Sequence, residues 1–415
     1  MSLPLKVEDT KDIYIQVDSN NSEGMSFSHF YGSVFMVAGT AIGAGMLGLP
    51  MAVSSLGLLY GSLLLVALWG IMYFAAVVMI DISQKHGKSA SISTLSKIYI
   101  SPLAGTIGGG VIILMLTALL VAYTGGSASL IQEIGKSYAN LDLPATGITF
   151  SFVGVMALLT SISMKILDKG NRIFFTAKIV VFVVVMGAIL FSIDFNKVDF
   201  SLQSKGISPW TVAFPLFFTS FGFHGSIPSL VEYCNNDSSL LKKVFFYGTA
   251  IPLAVYLLWI VGGLGILYTH DANAVANLIS GRADLGQFII ALSKATGASW
   301  MQSIISVIAL LGIITSFLGV SLGLFDFYRE KISFGNNLQK RTIAAVLTFL
   351  VPIALTLSAN KTFVSVLCVA GVFLSILAII LPCVVWLNLK KQGNFNTQFS
   401  KPVVLFLFSC GVTVI

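Results

Sequence analysis

Residues 24–80 contain no Asp, Glu, Lys or Arg, a run of fifty-seven residues without a formal charge. A membrane-spanning helix takes about 20 predominantly apolar residues, so this stretch has to cross, turn and cross back. A chain that is 56% hydrophobic and only 10% charged lacks the polar surface of a soluble domain. Further charge-poor runs at about 103–132, 146–164, 173–193, 209–231, 244–268, 299–325, 342–358 and 362–388 bring the expected number of spans to ten. A last apolar run, 403–415, is short for a full crossing, and is expected to be an eleventh helix either cut off at Ile415 or partly inserted. Residues 1–28 form a polar, mostly acidic tail without the basic-then-apolar order of a cleavable signal peptide.

Orientation follows from the cations, because short cytoplasmic loops retain Lys and Arg. With the N-terminal tail inside, seventeen of the 24 cations fall in the tail or in inner loops, and only Lys136, Lys197, Lys205, Arg282, Lys294 and Lys361 lie outside. The formal charge of +7 is therefore spread along one membrane face. No clustered basic patch suggests nucleic-acid binding. Cys234, Cys368, Cys383 and Cys410 are widely spaced, mostly within apolar runs, and suggest neither a disulfide framework nor a metal clip.

The remaining cation, Lys178 in "RIFFTAKIVVFVVVMG", lies inside the fifth span. An intramembrane ionisable residue is costly and points to a pathway or a partner. The alternative is that Lys178, less than two turns beyond Arg172, extends its ammonium back to the interface.

Two spans are weakened from within. "GTAIGAGMLGLP" at 39–50 holds four glycines before a proline, and "TSFGFHGSIPSL" at 219–230 holds two glycines, a histidine and a proline. Glycine costs about 1 kcal/mol in a helix interior, and proline removes a backbone donor. In lipid, freed backbone groups survive only where protein or a water-filled cavity satisfies them. Close packing through small residues is the competing explanation, and Gly39, Gly43, Thr315, Gly319 and Gly323 suit it. The interruptions nevertheless occupy the first and sixth spans, corresponding positions if five helices are repeated in inverted orientation, which is the pointer to a transporter's midplane site. A half-helix beginning near Gly45 suits a carboxylate, and unwound carbonyls around Phe221 and Gly222 suit an ammonium group. A zwitterionic amino acid satisfies both, with Phe221, Phe223, His224 and Tyr123 at hand for its side chain.

These stretches, "GSVFMVAGTAIGAGMLGLPMA" and "FFTSFGFHGSIPSL" together with "ITSFLGVSLGLFDF" at 314–327, closely resemble the bacterial hydroxy and aromatic amino acid permeases, and most closely their tyrosine-specific branch. The resemblance runs from about residue 30 to about 390. It implies the amino acid, polyamine and organocation superfamily: an all-α polytopic membrane protein with a LeuT-like 5+5 inverted-repeat fold, discontinuous helices 1 and 6, and about eleven spans. It further implies an inner-membrane location with the N-terminus cytoplasmic, and import of an aromatic amino acid, tyrosine foremost, by proton symport. Tryptophan or a broad aromatic range is the alternative substrate.

Carried over by position, the resemblance puts the substrate carboxylate on the backbone at Gly43, Ala44 and Gly45, and the amino group and part of the side chain at Phe221, Gly222, Phe223, His224 and Gly225. It makes Lys178 the coupling lysine, with Thr315 and Ser316 beside its site. Removal from water disfavours the charged form of a lysine, so such a residue can exchange a proton as the cavity alternates. The implied organisation is a tail at 1–28, five-helix repeats at 29–200 and 201–390, and a cytoplasmic loop with a short helix at 391–415.

Other functions have little in their favour. A channel requires a selectivity ring, and no row of intramembrane charges supplies one. No HExxH, GxSxG or GxxxxGK[ST] motif occurs, and "GTAIGAG" lacks the strand and the acidic partner of a dinucleotide site. Neither enzymatic activity nor a cofactor is expected. A substrate-sensing receptor would bind without flux. Oligomeric state is not legible.

Overall fold

The computed structural model describes residues 27–87, 90–160, 179–203, 207–297, 299–358, 362–393, 395, 397 and 399–415. Among these residues the chain is helical throughout, without a strand. Five helices are each long and apolar enough on their own to cross a membrane: α3 (Leu58–His86), α5 (Pro102–Ala139), α10 (Ser238–His270), α13 (Ser299–Lys331) and α14 (Asn337–Ser358). A sixth crossing is continuous through α15 (Phe363–Ser375), a π-turn at Ile376–Ile380 and α16 (Leu381–Lys391). A seventh is bent, combining α1 (Phe27–Ala41), a 3₁₀ turn (Ala44–Gly48) and α2 (Leu49–Val53), with 49° between its halves.

The other expected spans correspond to shorter apolar pieces. Helices α6 (Ala145–Thr160) and α7 (Ile179–Phe191) flank residues outside the described set, and α17 (Lys401–Val412) is short, as its sequence suggests. The sixth expected span is α8 (Ser208–Ser220) followed, after an interruption, by α9 (Ile227–Tyr233). The connectors between the apolar runs contain short helices: α4 (Ile92–Tyr99), α11 (Ala272–Ile279) and α12 (Leu285–Ala295). Their termini are capped by Ser91, Asp271 and Asp284, each accepting an otherwise unpaired backbone N–H.

Both interrupted spans restart in the same way. Their second halves begin with a 3₁₀ turn and then an α-helix carrying proline in its first turn, Pro50 in α2 and Pro228 in α9. Proline costs nothing there, because the first N–H groups of a helix lack an intrahelical partner anyway. Pro382 explains the π-turn in a related way: lacking an N–H, it cannot bond the carbonyl four residues back, and the chain widens its turn over Ile376–Ile380 just before it.

The interrupted spans pack against other helices. Helix α10 packs along α1 and α2, α8 packs on α2 and α15, and α5 touches α12, α13 and α15. Two glycines permit the closest approaches. Gly57, at φ +77°, turns the chain between α2 and α3, where a Cβ would strike the Ser201 carbonyl. Gly371 brings α15 onto the backbone of α8, where a Cβ would meet the Pro215 carbonyl. At the far end of α3, buried Asp81 accepts from the Thr397 hydroxyl at 2.7 Å, and Trp386 Nε1 donates to the same Thr397 oxygen at 3.1 Å. That cluster ties the segment before α17 to α3 and α16.

Candidate substrate site

At the first break the helix gives way at Gly43. Its N–H donates to the Ala41 carbonyl at 2.8 Å, and its backbone is extended (φ −127°, ψ −163°). The next N–H, of Ala44, leaves the span altogether and donates to Ser316 Oγ of α13 at 2.8 Å. Gly43 has no room to spare on that side: a Cβ would lie 2.9 Å from Ser316 Oγ. Gly45 is buried against the end of α8, where a Cβ would sit 3.7 Å from Ser220 Cα.

At the second break α8 ends at Ser220. Phe221 takes φ −99° and ψ 41°, the Phe223 N–H reaches back only to the Phe221 carbonyl at 2.9 Å, and a single 3₁₀ turn over His224–Ser226 leads into α9. Gly222 and Gly225 are exposed, and nothing lies within 4 Å of a Cβ built on Gly225.

The two breaks lie together. The hydroxyl of Tyr256, buried in the middle of α10, is 2.7 Å from the Ala41 carbonyl and 2.7 Å from the Ser220 carbonyl, the last residues of α1 and α8. Its ring meets Phe221 edge-on at 5.3 Å. No sequence pattern marks Tyr256, one tyrosine of twelve inside an ordinary apolar run. Helix α10 is held against both halves of the first span, since a Cβ on Gly248 would lie 2.6 Å from Val37 and one on Gly263 would lie 3.4 Å from Pro50.

The remaining expected residues divide. Ser316 reaches the first break, whereas the Thr315 hydroxyl turns back onto its own helix, to Leu311 and Gly312 carbonyls at 3.0 and 3.2 Å. Ser316 accepts from Ala44, and its own proton is uncommitted among the described residues. Phe221, Phe223 and His224 are 0, 1 and 3% exposed. The His224 ring stacks on Phe223 at 4.5 Å, with Nε2 3.2 Å from the Met72 carbonyl of α3, which makes Nε2 the protonated nitrogen. Its Nδ1 has no hydrogen-bond partner among the described residues, and the Phe221 backbone lies close to the ring. Tyr123, on α5, is 6% exposed, lies close enough to Tyr256 to interact with it electrostatically, and has no hydrogen-bond partner among the described residues. Lys178 lies outside the described residues, one position before α7 begins.

Two cavities stand out, and the residues of the breaks line neither. One, of about 440 Å³, lies between the end of α10 and helices α11 and α12, with Asp271, Asn277, Arg282 and Phe288 in its wall. The other, about 510 Å³ and apolar, lies between α5, α6 and α13. The four cysteines are free thiols, and no group of His, Cys, Asp and Glu able to hold a metal occurs among the described residues.

A prediction arises from Ser316. Ser316→Ala leaves the Ala44 N–H buried without an acceptor, a loss of about 1–3 kcal/mol. Thermal melting of the purified variant should fall accordingly; an unchanged melting temperature would mean the contact carries no energy.

A family model described as the tryptophan/tyrosine permease family matches residues 27–415. The chain is 31% identical over 365 residues to the tyrosine-specific transport system 1 of Haemophilus influenzae, covering 88% of this chain and 89% of the relative. It is 30% identical over 394 residues to the tryptophan-specific transport protein of the same organism, covering 90% and 93%. A glutamine transporter 2 of Aliivibrio fischeri is 29% identical over 371 residues, covering 89% and 91%. With six or seven apolar crossings among the described residues and a match over nearly its whole length, this multi-pass membrane protein is a transporter, not an enzyme, and belongs to the tryptophan/tyrosine permease family.

Proposed function

We propose that the protein imports an aromatic amino acid, tyrosine foremost, by proton symport through alternating access, in the inner membrane with its N-terminus cytoplasmic. One observation carries this reading: two interrupted helices lie side by side with main-chain polarity of opposite sense at their breaks. The N-terminal end of the Ala44–Val53 segment offers the Gly45 N–H and a positive dipole end to a carboxylate, the Gly43 and Ala44 N–H groups being paired with Ala41 and Ser316. The carbonyls ending α1 and α8 offer acceptors to an ammonium group. We take the fold as the LeuT-like five-plus-five inverted repeat with about eleven spans, divided at about residue 200. The shared grammar of the two breaks supports that division.

In this reading Gly43, Ala44 and Gly45 hold the carboxylate, with the spare Ser316 proton as a further donor. Phe221 to Gly225, with the Ala41 and Ser220 carbonyls beside them, receive the amino group and line the side-chain pocket, which Tyr123 completes. Thr315, Ser316 and Lys178 form the coupling region. The α11–α12 hairpin packs on α5. The Gly286 N–H donates to Ser129 Oγ of α5 at 2.8 Å, and a Cβ there would strike the Ser129 carbonyl.

The test is uptake of labelled tyrosine into proteoliposomes, with and without an inward proton gradient, in competition with tryptophan, phenylalanine and glutamine. Gradient-driven accumulation displaced best by tyrosine is expected. Preference for glutamine, the substrate named for one relative, would replace the aromatic reading, and binding without flux would make the protein a receptor. His224 supplies a finer check. Its unpartnered Nδ1 is an acceptor suited to a phenol hydroxyl, so His224→Leu should reduce the preference for tyrosine over phenylalanine at least about tenfold. An unaltered preference would leave His224 a packing residue bonded to Met72.

A further inference from the structure

Tyr256 brings one hydroxyl proton to two carbonyls. Both are helix ends whose intrahelical donors were removed by the breaks, and both lie 2.7 Å from the same phenol oxygen, so they are at most twice that distance apart. A hydroxyl has a single donor, so it serves one carbonyl fully or both partially, and Tyr256, Ala41 and Ser220 are all buried. Ala41 has a second donor in the Gly43 N–H at 2.8 Å, so two protons serve the four lone pairs of the two carbonyls, and Ser220 has the phenol proton alone among the described residues.

We infer that Tyr256 is a positioning residue of the transport site: it holds the ends of α1 and α8 within reach of one small cation, and leaves them the unmet acceptor capacity that the substrate ammonium fills. An ammonium group carries three N–H donors. When it donates to one carbonyl, the phenol proton commits to the other, and neither helix end is short. The aim of the hydroxyl is fixed. Its ring is wedged edge-on against Phe221, and α10 is pressed against both halves of the first span at Gly248 and Gly263. This inference rests on the proposal that the substrate is an amino acid.

The experiment measures displacement of labelled tyrosine from the purified protein by unlabelled tyrosine and by 3-(4-hydroxyphenyl)propionate, which lacks only the amine. In the wild type, tyrosine should displace far better than the deaminated compound. Tyr256→Phe keeps the ring and removes the donor. It should weaken tyrosine about tenfold or more while leaving the deaminated compound unchanged, so that the ratio of the two constants falls by that factor. Tyr256→4-aminophenylalanine keeps the ring, folds without a lost hydrogen bond and supplies two donors, one for each carbonyl. The preference for the amine should fall there as well, because the vacancy is already filled. Equal weakening of both ligands in Tyr256→Phe, or an unchanged ratio in the 4-aminophenylalanine variant, would overturn the inference. A wild type that fails to distinguish the two ligands would instead remove the amino acid proposal itself.

Discussion

Gly371→Ala is expected to collapse the yield of folded protein or to lower its melting temperature steeply, although it adds a single methyl group. The new Cβ would coincide with the Pro215 carbonyl and lie 2.7 Å from Thr219 Oγ1. Neither can retreat. Pro215 is backbone within α8, and the Thr219 hydroxyl bridges to the Leu367 carbonyl at 2.8 Å and back to Pro215 at 3.0 Å. Forced overpacking of a tight interior costs about 1–3 kcal/mol, and here two helix backbones must separate as well. Because α8 ends at the second break, any protein that folds should also transport poorly. Gly154→Ala is the control. Nothing lies within 4 Å of a Cβ built there, so it should be neutral, or stabilising by up to about 1 kcal/mol of helix propensity. Equal melting of the two variants would show that α8 and α15 are not in backbone contact.

Lys178→Met is expected to lower proton-driven accumulation by more than about tenfold while counter-exchange of labelled for unlabelled tyrosine persists. The reasoning is electrostatic. A lysine held away from water loses part of its preference for the charged form, so it can take up and release a proton as access alternates, and a methionine of similar length cannot. The position rests on the sequence and on the resemblance, because Lys178 precedes the first described residue of α7. Full pH-dependent accumulation in the variant would remove Lys178 from coupling and leave the interfacial explanation of its charge.

The breaks were legible because glycine and proline act locally. Clustered glycines followed by a proline weaken "GTAIGAGMLGLP" and "TSFGFHGSIPSL" from within, and the helices give way at Gly43 and Phe221. What the breaks are fastened to was not legible, because that depends on distant pairs. Ala44 and Ser316 are separated by 272 positions and Ala41 and Tyr256 by 215, and one serine or tyrosine in an apolar run carries no periodic signal. The same limit hid Gly371, an unremarkable glycine until α8 lies against it. It also hid α4, α11 and α12, which are too short and too amphipathic to register as apolar runs.

Among the proposed site residues, sequence distinguished positions better than directions. Ser316 and Thr315 are neighbours, yet successive helical side chains point about 100° apart, and only Ser316 faces the first break. His224 lies at the second break as expected, but its Nε2 is committed to the Met72 carbonyl. The sequence suggests unpaired N–H groups for a carboxylate at Gly43, Ala44 and Gly45, whereas the Gly43 N–H is paired with Ala41 and the Ala44 N–H with Ser316.

The central claim, that two interrupted helices grip both ends of a zwitterion, is tested most directly by competing labelled tyrosine uptake with tyramine, which lacks the carboxylate, and with 3-(4-hydroxyphenyl)propionate, which lacks the amine. The account predicts that each competes at least about 100-fold more weakly than tyrosine, because each leaves one set of main-chain groups unpaired. If either compound competes as well as tyrosine, that end of the substrate is not held by the breaks, and the account is wrong.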